Sequence, residues 1–266
     1  MVSAPPPAGY GTIIRTKRPG QTGAGVCAAV TLRFSKARAS GWIVIAFGWG
    51  FGVLAGAYTA APLSGGVINP AVTFGLAIDT GVWTKVWVYL LGQITGAVIG
   101  AILAYLVYFA QFQANVRKVG TTEGTVDEPV PTLGIFSTIP EIRNAVANLM
   151  TEILATIALV LPLLALVGED RHVVGIGIGP LPEATGIYGS GISILLVSFL
   201  VVGIGLSLGG PTGYAINPAR DLGPRIVHQF LPIPNKGTSD WGYAWIPVVG
   251  PLAGGILGGL IYNAAF

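Results

Sequence analysis

The tripeptide Asn-Pro-Ala occurs twice in this chain, at Asn69, Pro70 and Ala71 within SGGVINPAVTF, and at Asn217, Pro218 and Ala219 within GGPTGYAINPARDLG. Asn is favoured just before a helix because its side-chain oxygen accepts a backbone N–H of the first turn. Pro suits the first helical position, where its missing N–H would have no partner anyway. With the oxygen engaged, the amide NH₂ of each Asn is left as a neutral donor held in a fixed direction. Two such helix starts meeting near one point would aim two donors and two positive dipole ends at it. That arrangement suits the oxygen of a neutral solute and repels cations, a hydrated proton included. Arg220 follows the second tripeptide directly, and its permanently charged guanidinium carries enough N–H donors for two neighbouring hydroxyls of a polyol.

This is binding chemistry, and nothing beside it suggests catalysis. The two histidines, His172 and His228, cannot assemble a metal cluster, and the single Cys27 rules out an intrachain disulfide. The apolar segments hold no nucleophile paired with a base, so the expectation is no enzyme, no metal and no cofactor. No basic stretch is interleaved with aromatics, which argues against a nucleic-acid partner.

The elements that must position these residues belong in a membrane. Apolar residues make up 52% of the 266 and charged ones only 9%, against roughly a quarter charged in soluble domains. Apolar segments near 42–62, 86–109, 146–167, 189–208 and 243–262 each approach the roughly 20 residues of a spanning helix. A polar stretch, 110–145, holding Glu123, Asp127, Glu128, Pro129 and Pro131, reads as the connecting loop between two halves. Each half has a span, a Gly-rich approach to Asn-Pro-Ala and a short apolar piece. Each then has a span with small residues at every fourth position, Gly92, Gly96 and Gly100 in one and Gly250, Gly254 and Gly258 in the other. The short pieces, 69–79 and 217–229, cannot cross a bilayer and read as half-helices buried in protein or lining a cavity. The expected organisation is an atypical polar segment at 1–22, a first repeat at 23–109, the connecting loop at 110–145 and a second repeat at 146–266. An internal repeat with an interrupted segment in each copy points to a solute path at the membrane midplane.

The paired tripeptides and the repeat resemble the aquaporin family, and NPARDLGPR is similar to its glycerol-facilitator branch. Asp221, Arg225, Pro247, Val248 and the connector stretch LGIFSTIP (133–140) are the forms that branch carries, and the resemblance covers about residues 23–266. It implies an all-α membrane protein of two inverted repeats with two re-entrant half-helices. It also implies a homotetramer, multi-pass in the cell membrane, with a passive path for glycerol, water and other small neutral solutes in each subunit. Carried over by position, the selectivity filter is Trp49, Gly205, Tyr214 and Arg220. Trp49 and Tyr214 would form an apolar wall opposite Arg220, and Gly205 would remove a side chain where carbon must pass. Glu152 takes the place of an acid that holds backbone groups of a re-entrant loop. Asp221 and Arg225, four residues apart, are expected to pair.

Some positions depart from the family. Val67 stands where the family usually has His, and Tyr214 where its glycerol channels usually have Phe. Only GAGVCAAVTL, from Gly23, resembles the end of the family's first helix, so that span is expected to lack its first half and to reflect a truncated or misassigned start. No Asp or Glu precedes Asp79, so the first repeat lacks a counterpart of Glu152. Residues 1–22 contain no apolar run of the signal-peptide kind. Arg15, Lys17, Arg18, Arg33, Lys36 and Arg38 all precede the first complete span. Two alternatives stay open: a secondary transporter of a small solute, since repeats and broken helices occur there too, and a non-conducting truncated product.

Overall fold

The computed structural model describes residues 17–115, 131–167 and 192–266, with backbone alone for residues 17–22 and Leu63. Arg15, Glu123, Asp127, Glu128, Pro129 and His172 therefore lie outside the described residues, as do the start of the segment expected at 189–208 and residues 1–16 of the expected N-terminal segment.

Every element among the described residues is helical. In chain order they are α1 (Lys17–Thr31), α2 (Trp42–Ser64), α3 (Pro70–Thr80), α4 (Val86–Val107) and α5 (Phe109–Gln113). After the connector come α6 (Leu133–Phe136), α7 (Ala145–Val167), α8 (Ile192–Ser207), α9 (Pro218–Phe230) and α10 (Ile246–Ala265). Four of them, α2, α4, α7 and α10, are long and apolar enough to cross a membrane. Their apolar character runs all round the helix, and large side chains such as Trp87, Leu91 and Leu106 on α4 or Val146 and Leu154 on α7 are exposed. This is how a helix in hydrocarbon differs from an amphipathic surface helix.

The first helix begins earlier than its sequence suggests. It runs from Lys17, not from Gly23, with Pro19 in the first turn, where a missing N–H is tolerated. Its 15 residues rise about 22 Å, against a hydrocarbon core of about 30 Å.

The two half-helices each rest on the last helix of the other half. α3 packs on α10 and α9 packs on α4, while α1 pairs with α4, α7 with α10, and α2 meets α8. Small residues make these approaches possible. A Cβ on Gly255 of α10 would run into the Ala71 carbonyl of α3, and one on Gly223 of α9 would lie 2.7 Å from the Ala97 Cβ of α4. The Gly250, Gly254 and Gly258 row faces α7 instead, where added Cβ atoms would meet Glu152, Ile153, Thr156 and Val160. Helix α10 therefore has two close faces, one toward α7 and one toward the first half-helix, α3.

Candidate functional site

Asn69 and Asn217 start α3 and α9 by the local chemistry of helix capping. Both adopt an extended backbone and are followed by Pro at the first turn; Asn69 Oδ1 accepts from Ala71 N at 2.9 Å, and Asn217 Oδ1 accepts from Ala219 N at 3.0 Å and Arg220 N at 3.2 Å. The amide nitrogens are not both left free as expected. Asn69 Nδ2 donates to the Ile216 carbonyl at 2.8 Å, and Asn217 Nδ2 donates to the Ile68 carbonyl at 3.2 Å. Each Asn thus ties its own half-helix to the approach loop of the other. An amide NH₂ carries two protons, so one donor direction on each nitrogen remains.

Both Asn residues line a cavity of about 250 Å³ that also touches Trp49, Val67, Tyr214 and Arg220. Its walls are mostly aliphatic, supplied by α2, α7 and α8 through residues such as Val53, Leu159 and Val197. An apolar cavity with a few convergent polar groups is the arrangement by which a site recognises a small polar solute.

The residues at one end differ from their expected placing in two respects. Arg220 does not face Trp49 across a gap; its guanidinium carbon lies 3.8 Å from the centroid of the Trp49 ring, in cation–π contact. Gly205 does not widen the cavity. A Cβ there would lie 2.7 Å from Cζ of Tyr214, so the phenol occupies the space that the glycine vacates. Tyr214 is buried, its ring stands edge-on to Trp42 at 5.8 Å, and the Trp42 indole N–H donates to the Gly205 carbonyl at 2.8 Å. Gly205 therefore backs Tyr214, while Trp49, Tyr214 and Arg220 line the cavity.

Glu152 of α7 is fully buried and grips the second approach loop. Oε1 accepts from Thr212 Oγ1 at 2.6 Å and Ala215 N at 2.9 Å, and Oε2 accepts from Ile216 N at 2.9 Å. A carboxylate with three donors satisfies the rule that a buried charge must be hydrogen-bonded. Asp221 and Arg225 pair along α9, Nε to Oδ1 at 2.8 Å, both wholly buried. The remaining Arg225 donors reach the carbonyls of Thr138, Ser239 and Asp240.

Val67 lines the cavity, and its carbonyl accepts from Gln93 Nε2 of α4 at 3.0 Å; the same nitrogen donates to Thr73 Oγ1 at 2.9 Å. Gln93 was not among the sequence-predicted residues, although a lone amide in an otherwise apolar span was a signal for it. A lone Cys27 suggests nothing beyond the lack of a disulfide partner, yet its sulfur accepts the Trp49 indole N–H at 3.4 Å. Gly23, one turn earlier, makes room for the same ring. Their spacing of four on one helix face was legible, but their partner was not.

Comparison with known proteins shows the family. The family described as MIP, major intrinsic protein, matches residues 21–262. The chain is 47% identical over 245 residues to the glycerol uptake facilitator protein of Bacillus subtilis (strain 168), covering 92% of this chain and 79% of that one. It is 44% identical over 242 residues to glycerol uptake facilitator protein 3 of Lactiplantibacillus plantarum, covering 91% and 89%. Among solved structures, the aquaglyceroporin of Plasmodium falciparum superposes with a TM-score of 0.73 at 25% identity, over 96% of this chain and 94% of the other. With two capped half-helices meeting at one cavity and a family match spanning nearly all its length, the chain belongs to the major intrinsic protein family.

Proposed function

We propose that this protein is a passive transmembrane channel for glycerol, water and other small neutral solutes, working as a homotetramer in the cell membrane with a path through each subunit. The observation that carries the reading is the reciprocal pair of Asn amides, Asn69 to Ile216 and Asn217 to Ile68, set in the wall of a largely aliphatic cavity. Relatives named glycerol uptake facilitators support glycerol as a solute.

In this reading Trp49, Tyr214 and Arg220 form the constriction, and Gly205 seats the Tyr214 phenol. The solute's carbon chain passes along the aromatic and aliphatic side while its hydroxyls bond to Arg220 and then to the remaining Asn donors. The donors and the half-helix N-termini add positive potential to the path, which disfavours cations. The two repeats, residues 23–109 and 146–266, each contribute one half-helix to the path, and residues 110–145 connect them.

The test is light scattering of proteoliposomes after a glycerol gradient, with the intact chain beside Arg220→Val. The channel reading expects glycerol entry that rises linearly with concentration and a changed glycerol-to-water ratio in the variant. Saturable, ion-dependent entry would replace it with a secondary transporter. No glycerol entry at all would remove the solute assignment.

A further inference from the structure

The connector between the two halves contacts the chain next to Arg220 and next to Tyr214, and Thr138 makes most of these contacts. Thr138 donates its backbone N–H and its hydroxyl to Asp221 Oδ2, at 2.7 and 2.6 Å, and its carbonyl accepts from Arg225 at 2.9 Å. Ser137 Oγ adds a bond to the Asp221 carbonyl at 3.1 Å. Asp221 is the residue next to Arg220, so this cluster holds the first turn of α9 at the point where the guanidinium departs.

The other side of Thr138 faces the approach loop. Its Cγ2 lies 3.4 Å from where a Cβ on Gly213 would stand, and Gly213 precedes Tyr214. Two residues beyond Ile139, Glu141 N donates to the Pro211 carbonyl at 3.0 Å. The connector thus contacts the chain beside two of the three constriction side chains, 211–213 before Tyr214 and Asp221 after Arg220. Neither Asp221 nor Arg225 lines the cavity.

We propose that Thr138 is a positioning residue for solute selection, and that the buried Asp221–Arg225 pair influences which solutes pass through it, without touching them. The physical basis is that Tyr214 holds a left-handed backbone, φ 40°, which a non-glycine residue keeps only when its surroundings over-determine it. Glu152 holds residues 212, 215 and 216 by hydrogen bonds, and the Thr138 side chain lies beside residue 213. This inference rests on the constriction reading of the preceding section.

The experiment measures glycerol and water permeability on the same proteoliposomes for the unaltered protein, Thr138→Val, Thr138→Ser and Arg220→Val. Thr138→Val keeps the shape but removes a hydroxyl donor to a buried carboxylate; the expected result is a glycerol-to-water ratio changed by about fivefold or more, with Thr138→Ser restoring it. A merely structural role would lower the number of working channels and scale both permeabilities together, so an unchanged ratio overturns the proposal. Thr138→Ala, read by the same ratio, serves should the valine variant fail to reconstitute. If Arg220→Val also leaves the ratio unchanged, the constriction reading itself has failed; if Arg220→Val shifts it and the Thr138 variants do not, only the present inference has.

Discussion

The two approach loops of the molecule reach the same kind of helix start by different physical means. The first, ahead of Asn69, takes its left-handed turns on Gly65 and Gly66, φ 67° and 76°, where glycine adopts them without a Cβ clash. The second, ahead of Asn217, takes them on Gly213 but also on Tyr214 and Ile216, φ 40° and 42°. A left-handed non-glycine residue costs about 1–2 kcal/mol. The restraints differ accordingly. A neutral amide, Gln93, donates to the Val67 carbonyl of the first loop, and its Oε1 has no partner among the described residues. A buried carboxylate, Glu152, accepts three bonds from the second, and hydrogen bonds to charged groups are the stronger kind. Strain and strong restraint occur together in the loop that carries the Tyr214 side chain to the cavity. The relaxed loop needs less.

The comparison is most directly broken at Glu152. Glu152→Gln places an NH₂ where backbone N–H groups converge and removes the charge they face. We expect a loss of about 3–5 kcal/mol, read as a collapse in yield of monodisperse protein and in its thermal midpoint in detergent. The half-helix seats come next. Gly255→Ala drives a methyl into the Ala71 backbone carbonyl, whereas Gly223→Ala meets the Ala97 methyl at 2.7 Å. Both methyls meet backbone or a methyl fixed to it, and the overlap is closer at Gly255, so the first should destabilise by about 2–3 kcal/mol and the second by somewhat less, within the range known for overpacking. Equal shifts in thermal midpoint would contradict this ordering.

Gln93→Leu probes the weaker restraint. It removes two neutral hydrogen bonds, and the expected cost is about 1–2 kcal/mol, clearly below that of Glu152→Gln on the same assay. A loss as large as that of Glu152→Gln would mean that the two loops are held equally and that the contrast drawn here is wrong. Smallest of all is Gly65→Ala, where the added Cβ meets nothing within 4 Å and only the left-handed backbone objects. About 1 kcal/mol is expected from that strain alone, read as a small fall in thermal midpoint.

Much of the organisation was legible in the amino acids because it is local. The starts of α3 and α9 are set within four residues by Asn at the cap and Pro in the first turn, and the long apolar spans and their glycine rows can be counted along the chain. The pairing of Asp221 with Arg225 follows from one helical turn. Reading the first helix from Gly23 missed its beginning at Lys17, because Pro19 and the polar residues around it look like a loop until one sees that they fall in a first turn.

What the sequence determined by itself is therefore the set of helices, their repeat, and the donors that their ends must display, since each depends on neighbours within a turn or a span. The tertiary structure alone decided how those donors are engaged. Asn69 bonds to Ile216 across 147 residues, Tyr214 fills the space beside Gly205, Arg220 stacks on Trp49, and Cys27 receives the indole N–H. The first and third of these contacts join opposite halves, and the other two join a helix to its neighbour or to the loop that follows it. Their geometry is set by how the half-helices interlock, a property of packed surfaces and not of residue order.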